Sequence, residues 1–256
     1  MQKPNKTNLL VAGLLLFAVA FLVSRFQFFA CPTVEISNDS GEYISWIDTY
    51  IARGEMPPNN YIPIGYPLII KGLTLLKDSI YAIVYFQIAL TFISFCLLLF
   101  VVWRFYDKTI FYAALVCIAL YVQIPNNLYY DIYLLSESVY NSSLVLLVAA
   151  LIYFIQATDK KSAAYLSLAL AAPILFRPTG IFTAVIFLLL LAYLVFEKRK
   201  DLMLHFIVPF SVIYLSLSVY CLVVSGTPNF IGGRAQAELN ASKVLPASNV
   251  ADTTKQ

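Results

Sequence analysis

The sequence predicts an all-α integral membrane protein of about seven transmembrane helices, with a long first outer loop carrying amphipathic surface helices. Three observations make that prediction. A chain of 256 residues that is 61% hydrophobic and 12% charged cannot clothe a soluble globule in polar groups. Its apolar residues gather into seven segments near 9–30, 79–103, 109–124, 137–156, 162–176, 180–196 and 202–224, against the roughly 20 residues a helix needs to cross the hydrocarbon. Lys and Arg fall in alternate connections between those segments, as membrane topology requires.

The first segment follows Lys3 and Lys6, which is also how a secretory signal begins. It reads as an uncleaved anchor, because the run continues past Arg25 through 26–30 and Phe28 is a poor fit to a small-residue cleavage site. Cys31 reads as a free thiol. Cys96, Cys117 and Cys221 sit singly inside spans with no CxxC pair, so no disulfide framework or metal role is implied. The segments at 109–124, 162–176 and 180–196 are short, and 162–176 is either a tilted span or a re-entrant element.

Orientation follows from the short connections. Lys3 and Lys6, Arg104 and Lys108, Lys160 and Lys161, and Lys198 to Lys200 mark one face as cytoplasmic, with the N-terminus on that side. The opposite face is acidic. It holds Glu35, Asp39, Glu42, Asp48, Glu55 and Asp78 in the first loop, Asp131 and Glu137 around the start of the fourth span, and Glu238 and Asp252 in the tail. Arg177 alone adds charge between the fifth and sixth spans.

The loop at 31–78 is longer than a helix connection needs, which marks it as functional. From Glu35 onward Ile36, Ile44, Ile47 and Ile51 recur at helical spacing, with Glu35, Asp39, Glu42 and Trp46 on the other side. The pattern predicts a helix lying on the membrane surface. Gly54 and Pro57-Pro58 end it, Pro63 to Pro67 make a second break, and a short apolar helix at 68–76 completes a roof over the bundle. Glu137 opens the fourth span among Tyr133, Tyr140 and Asn141; an ionisable group at that depth is functional by default, the alternative being that it sits high enough to be hydrated. Asp131 ends a polar, aromatic loop, 125–131, that either lines a pocket or sits at the interface. Arg177, between Pro173 and Pro178, either binds phosphate or snorkels to headgroups. His205, the single histidine, lies on the basic side and reads as structural. Without a Walker motif, a Rossmann fingerprint or a basic helix suited to nucleic acid, nucleotide-sugar use and nucleic-acid partners are not expected.

The stretch Asn38-Asp39-Ser40-Gly41-Glu42-Tyr43, then Arg53-Gly54, then Tyr61 to Pro67, resembles the first outer loop of the GT-C superfamily of membrane glycosyltransferases. The likeness continues at Tyr133 to Tyr140 and at Phe176-Arg177-Pro178-Thr179-Gly180 and spans roughly residues 1–230 in order. It is nearest in kind to protein mannosyltransferases and aminoarabinose transferases. The resemblance implies transfer, inverting in kind, of a sugar from a polyprenyl-phosphate donor to a glycan, lipid or protein acceptor. It places that chemistry on the outer face of a bacterial cytoplasmic (inner) membrane. It also implies Asp39 as catalytic base, a role that suits a carboxylate taking the acceptor hydroxyl's proton. The alternative for Asp39, with Glu42 three residues on, is a capping box. Arg177 would bind the donor phosphate, and Glu137, Tyr43, Glu42, Asp131 and Tyr66 would line the acceptor or sugar pocket. No cofactor is required, although a divalent metal near Asp39 and Glu42 stays open.

The polar tail, 225–256, departs from the family, whose members usually carry further spans there, so the expectation is a natural short form, a C-terminally truncated reading frame or one part of a complex with a protein partner. The alternatives in other classes are a polytopic transporter or lipid flippase, against which no inverted repeat is evident, and a noncatalytic membrane subunit.

Overall fold

A computed structural model describes residues 6–36, 38–45, 63–76 and 79–225. Within them the chain forms helices α1 (Lys6–Ala30), α2 (Asn38–Ser45), α3 (Gly65–Leu76), α4 (Ile80–Phe105), α5 (Lys108–Tyr121), α6 (Pro125–Ile132), α7 (Ser136–Ala157), α8 (Lys160–Phe176), α9 (Phe182–Phe196) and α10 (Lys200–Ser225). A 3-10 turn, Pro178–Ile181, leads into α9. No strand is present among the described residues; a single parallel bridge joins Glu35 to Tyr133.

Among the described residues five helical stretches are long and apolar enough to cross a membrane: Thr7–Ala30, Ile80–Phe105, Ser136–Ala157, Pro178–Phe196 and Lys200–Tyr220. The architecture is an all-α bundle of membrane-spanning helices. A sixth span is reached if α5 and α6 count as one, but they meet at 67°. The segment expected as a continuous span at 109–124 ends there for a local reason. Pro125 occupies the first turn of α6 and disfavours helical geometry at the residue before it, and Ile124 is accordingly extended (φ −64°, ψ 124°). The stretch at 125–131, read from sequence as a loop, is therefore helix.

α8 has 17 residues, about 26 Å at 1.5 Å per residue, and is the helix against which most of the second half packs, touching α3, α7, α9 and α10. Its buried face includes Ser162, Ala163, Ser167 and Ala171, small residues that let helix backbones approach where no hydrophobic force drives them together. At Pro209 in α10 the amide of Phe210 donates to Ser167 Oγ (2.9 Å), tying α10 to α8.

The connections sort to two ends. At the basic end Asp107 caps α5 and Asp159 forms a capping box with Ser162. Arg199 Nη2 there donates to Thr158 O (3.1 Å), so the α7–α8 and α9–α10 turns touch. At the other, acidic end a cluster of Tyr43, Ile64, Tyr66, Ile70, Ile83, Leu134, Leu135, Val139 and Ile174 gathers α2, α3, α4, α7 and α8. The surface helix expected from Glu35 onward starts later, at Asn38. Glu35 is extended instead, its carbonyl accepting from Leu134 N (3.4 Å). Of the expected roof, α2 and α3 are seen, with α3 beginning at Gly65; Trp46, Ile47, Asp48, Ile51, Gly54, Glu55, Pro57, Pro58, Asp78 and the tail at 226–256 lie outside the described residues.

Candidate functional site

Two polar constellations occupy the acidic end, and their hydrogen-bond states differ. The first is inside the bundle. Arg25, on α1, and Asp131, on α6, are 0% and 2% exposed. Arg25 Nη2 and Nε reach Asp131 Oδ2 at 2.5 and 3.2 Å, and Nη1 donates to Val122 O (3.3 Å). Its guanidinium lies 3.8 Å from the Phe21 ring centroid. The other carboxylate oxygen, Oδ1, accepts from Thr91 Oγ1 (2.8 Å) and Ser138 Oγ (2.7 Å). Every formal charge here has a partner, which is what makes a buried pair tolerable. A cavity of about 20 Å³ adjoins it, lined by Thr91, Asn127, Asn141 and Ser142 among others, enough for about one water.

Beside this network Gln87, fully buried in α4, acts as a junction. Its Oε1 accepts from Tyr66 Oη (2.7 Å), while Nε2 donates to Tyr133 O (2.9 Å) and Tyr130 O (3.2 Å). The Tyr133 carbonyl also accepts from Leu135 N (2.9 Å), so Gln87 adds a second donor there. Burial pushes the Tyr66 phenol well above its ordinary pKa, with Tyr43 and Glu137 adding to the effect, so it stays a neutral donor. Tyr43 packs edge-on against Tyr66 (4.8 Å between centroids) and shares a hydrogen bond with Ser136 Oγ (2.8 Å).

The second constellation is at the rim. Arg177, which ends α8, and Glu137, in the first turn of α7, form an ion pair, Nη1 to Oε1 at 2.5 Å. Their side chains are 35% and 19% exposed. Arg177 also lies over the Tyr140 ring at 5.9 Å. Glu137 Oε2 is buried and has no hydrogen-bond partner among the described residues, a condition that costs free energy until a donor arrives. Arg177 is held by tight backbone packing on both sides. Gly180 sits against the Pro173 carbonyl and Gly65 against the Leu175 carbonyl, each too close for a Cβ.

Of the residues singled out from sequence, Glu137 and Arg177 meet, Tyr43 is hydrogen-bonded to Ser136, the residue before Glu137, and Tyr66 packs on Tyr43. Asp131 does not join them. It is buried in the Arg25 network with both oxygens bonded. Asp39 falls in the first turn of α2, which starts at Asn38. It precedes Tyr43 by one turn, about 6 Å along the axis. The side chains of Asp39 and Glu42 lie outside the described residues. Among the described residues no group of three His, Cys, Asp or Glu side chains is placed to hold a metal ion. His205 is in α10 near the basic end, its Nδ1 buried without a partner among the described residues.

Sequence reasoning passed over Arg25, Gln87, Thr91, Ser138 and Ser142. Their signal was present. Gln87 and Thr91, like Ser138 and Ser142, are polar residues four apart in otherwise apolar helices, and Arg25 interrupts an apolar run. Comparison with protein-family models, with characterised proteins and with solved structures finds no match to this chain.

Proposed function

We propose that this chain is a membrane glycosyltransferase that moves a sugar from a polyprenyl-phosphate donor to an acceptor hydroxyl on the outer face of the membrane. In this reading α5–α6 and α8 both count as spans, giving seven, with the N-terminus cytoplasmic in a bacterial inner membrane. The observation that carries it is the rim site: a half-exposed guanidinium and a carboxylate with one buried, unpartnered oxygen, one helical contact away from the α2 turn that carries Asp39. The ordered sequence likeness to GT-C enzymes adds the donor class.

The chemistry divides among the residues. Asp39 takes the proton of the acceptor hydroxyl as its oxygen attacks the sugar C1, and the C1–O bond to phosphate breaks, with the electron pair leaving on the phosphate. Arg177 offers paired donors to that phosphate and keeps its charge at any working pH. Since Nη1 of Arg177 already holds Glu137, the phosphate competes with or shares that contact. The exchange loosens Glu137, whose free oxygen then receives a hydroxyl from the sugar or acceptor. Tyr43 and Tyr66 wall the pocket and fix α2 over it.

The test is transfer of radiolabelled sugar from polyprenyl-phosphate donors to membrane acceptors by purified protein. Asp39→Asn and Arg177→Ala at matched abundance should each lower the rate by about 10²-fold or more. Transfer that survives Asp39→Asn removes the base assignment. No transfer with any donor, together with substrate movement in sealed vesicles, replaces the reading with a transporter.

A further inference from the structure

The corner between α6 and α7 carries a surface feature that the transfer chemistry does not use. Tyr129 and Tyr133, four residues apart and so on one side of α6 and its cap, stack with ring centroids 3.6 Å apart and planes inclined by 27°. The pair is not buried: Tyr129 is 42% exposed. The plate is fixed from three sides. Gln87 Nε2 holds the carbonyl of Tyr133 (2.9 Å), the bridge to Glu35 holds its backbone, and Tyr130 meets Tyr129 edge-on at 5.8 Å. Beside the plate stand an exposed carboxylate, Glu35, which none of the described ion pairs engages, and the exposed amide of Asn126, one turn before Tyr129.

A rigid aromatic face attracts the partly positive C–H edge of a flat saturated ring. A carboxylate and an amide at its margin accept and donate hydrogen bonds to hydroxyls. The negative charge of Glu35 repels phosphate headgroups, and a parallel stack offers one plane, whereas enclosing a quaternary ammonium takes several converging faces. We propose that Tyr129 and Tyr133, with Glu35 and Asn126, form a saccharide-binding platform for neutral glycans at the acidic end of the bundle. The platform does not depend on the transferase reading: a glycan bound there is held, not transformed.

The experiment is saturation-transfer NMR on the full chain in phosphatidylethanolamine/phosphatidylglycerol nanodiscs, which contain no sugar headgroup. The probes are maltotriose, cellotriose and N-acetylchitotriose, with phosphocholine as the cationic comparison. Transfer from aromatic protons to the C–H protons of at least one trisaccharide is expected. Tyr129→Ala should weaken it by about tenfold, the loss of one aromatic face, whereas Tyr129→Trp should preserve or strengthen it. Tyr85→Ala, which removes an equally exposed tyrosine elsewhere, should leave it unchanged. The proposal is overturned if no trisaccharide receives magnetisation, if Tyr85→Ala and Tyr129→Ala weaken binding equally, or if phosphocholine displaces the sugar. A Tyr129→Ala protein that fails to fold leaves Glu35→Gln and Asn126→Ala to decide, both at exposed positions: unchanged binding in both overturns it.

Discussion

Two glycines in α3 should respond to the same substitution with opposite sign. An ideal Cβ on Gly65 would lie 2.8 Å from Leu175 Cβ and closer still to the Leu175 carbonyl oxygen, whereas one on Gly72 meets nothing within 4 Å. The Gly65 neighbour is largely backbone of α8, which cannot rotate away, so Gly65→Ala must push α3 off α8 by roughly 1 Å or strain both, a cost of about 1–3 kcal/mol. Gly72→Ala only removes backbone freedom from the unfolded chain and should stabilise by about 0.5–1 kcal/mol. At about 2–4 °C per kcal/mol for a chain near this size, thermal unfolding followed by intrinsic fluorescence in detergent should separate the two variants clearly, on opposite sides of the parent. Because Leu175 is two residues before Arg177, Gly65→Ala should also disturb the rim pair. Equal shifts in the same direction would refute the argument, since they would mean that α3 is not seated on the end of α8. A Gly65→Ala protein at or above the parent would refute it outright.

Replacing Arg25 by Met or Asp131 by Leu should each destabilise by about 3–5 kcal/mol, because the abandoned charge stays buried, while the double replacement recovers most of the loss; unfolding of all three variants checks this, and additive losses would deny the pair. A membrane-impermeant maleimide should label Cys31, exposed just beyond α1, in intact cells carrying Cys31 as their one cysteine; labelling only after permeabilisation would invert the proposed orientation. The amide and hydroxyl of Ser162 hold the Asp159 carboxyl below its usual range. Its cap thus contributes stability above the unfolded pKa of about 3.9 and loses it as pH falls through the lower folded value. The stability difference between the parent and Asp159→Ala should therefore be constant at neutral pH and vanish in strong acid.

Composition and segment spacing made the class and most span positions legible, because a run of apolar residues long enough to cross a bilayer has few alternatives to a helix. The break at Ile124 was written in Pro125, but hydropathy averages over a single residue and masks it. The late start of α2 was not legible: the periodicity from Glu35 was genuine, yet pairing of Glu35 with Tyr133 is a contact across 98 positions and overrides local preference. The site was half legible. Glu137 and Arg177 could be flagged as charges at span ends, but that they face each other depends on how α7 and α8 pack, and serine- and alanine-rich faces carry no register of their own.

Asp131 shows why charge alone misleads at a membrane surface. Counted along the sequence it is one more acid among several on its face; in the fold it is neutralised by Arg25, and Thr91 and Ser138 occupy its second oxygen. A carboxylate so fully bonded has nothing left to offer a substrate without first breaking a buried pair, at a cost of several kcal/mol. Glu137 differs in one atom. Its Oε1 is engaged and its Oε2 is buried and bare, so a ligand hydroxyl arriving there gains a hydrogen bond and relieves an existing penalty together. The distinction orders the two acids by capacity: Asp131 holds α1, α4, α6 and α7 together, and Glu137 keeps one oxygen without a partner among the described residues. It also predicts their variants apart, since Glu137→Gln keeps shape, retains an acceptor and weakens the hold on Arg177. That variant should fold as the parent does while changing what the rim binds, whereas Asp131→Asn should chiefly lower the unfolding temperature. Circular dichroism melts of the two proteins decide it, and a larger thermal loss in Glu137→Gln would reverse the assignment.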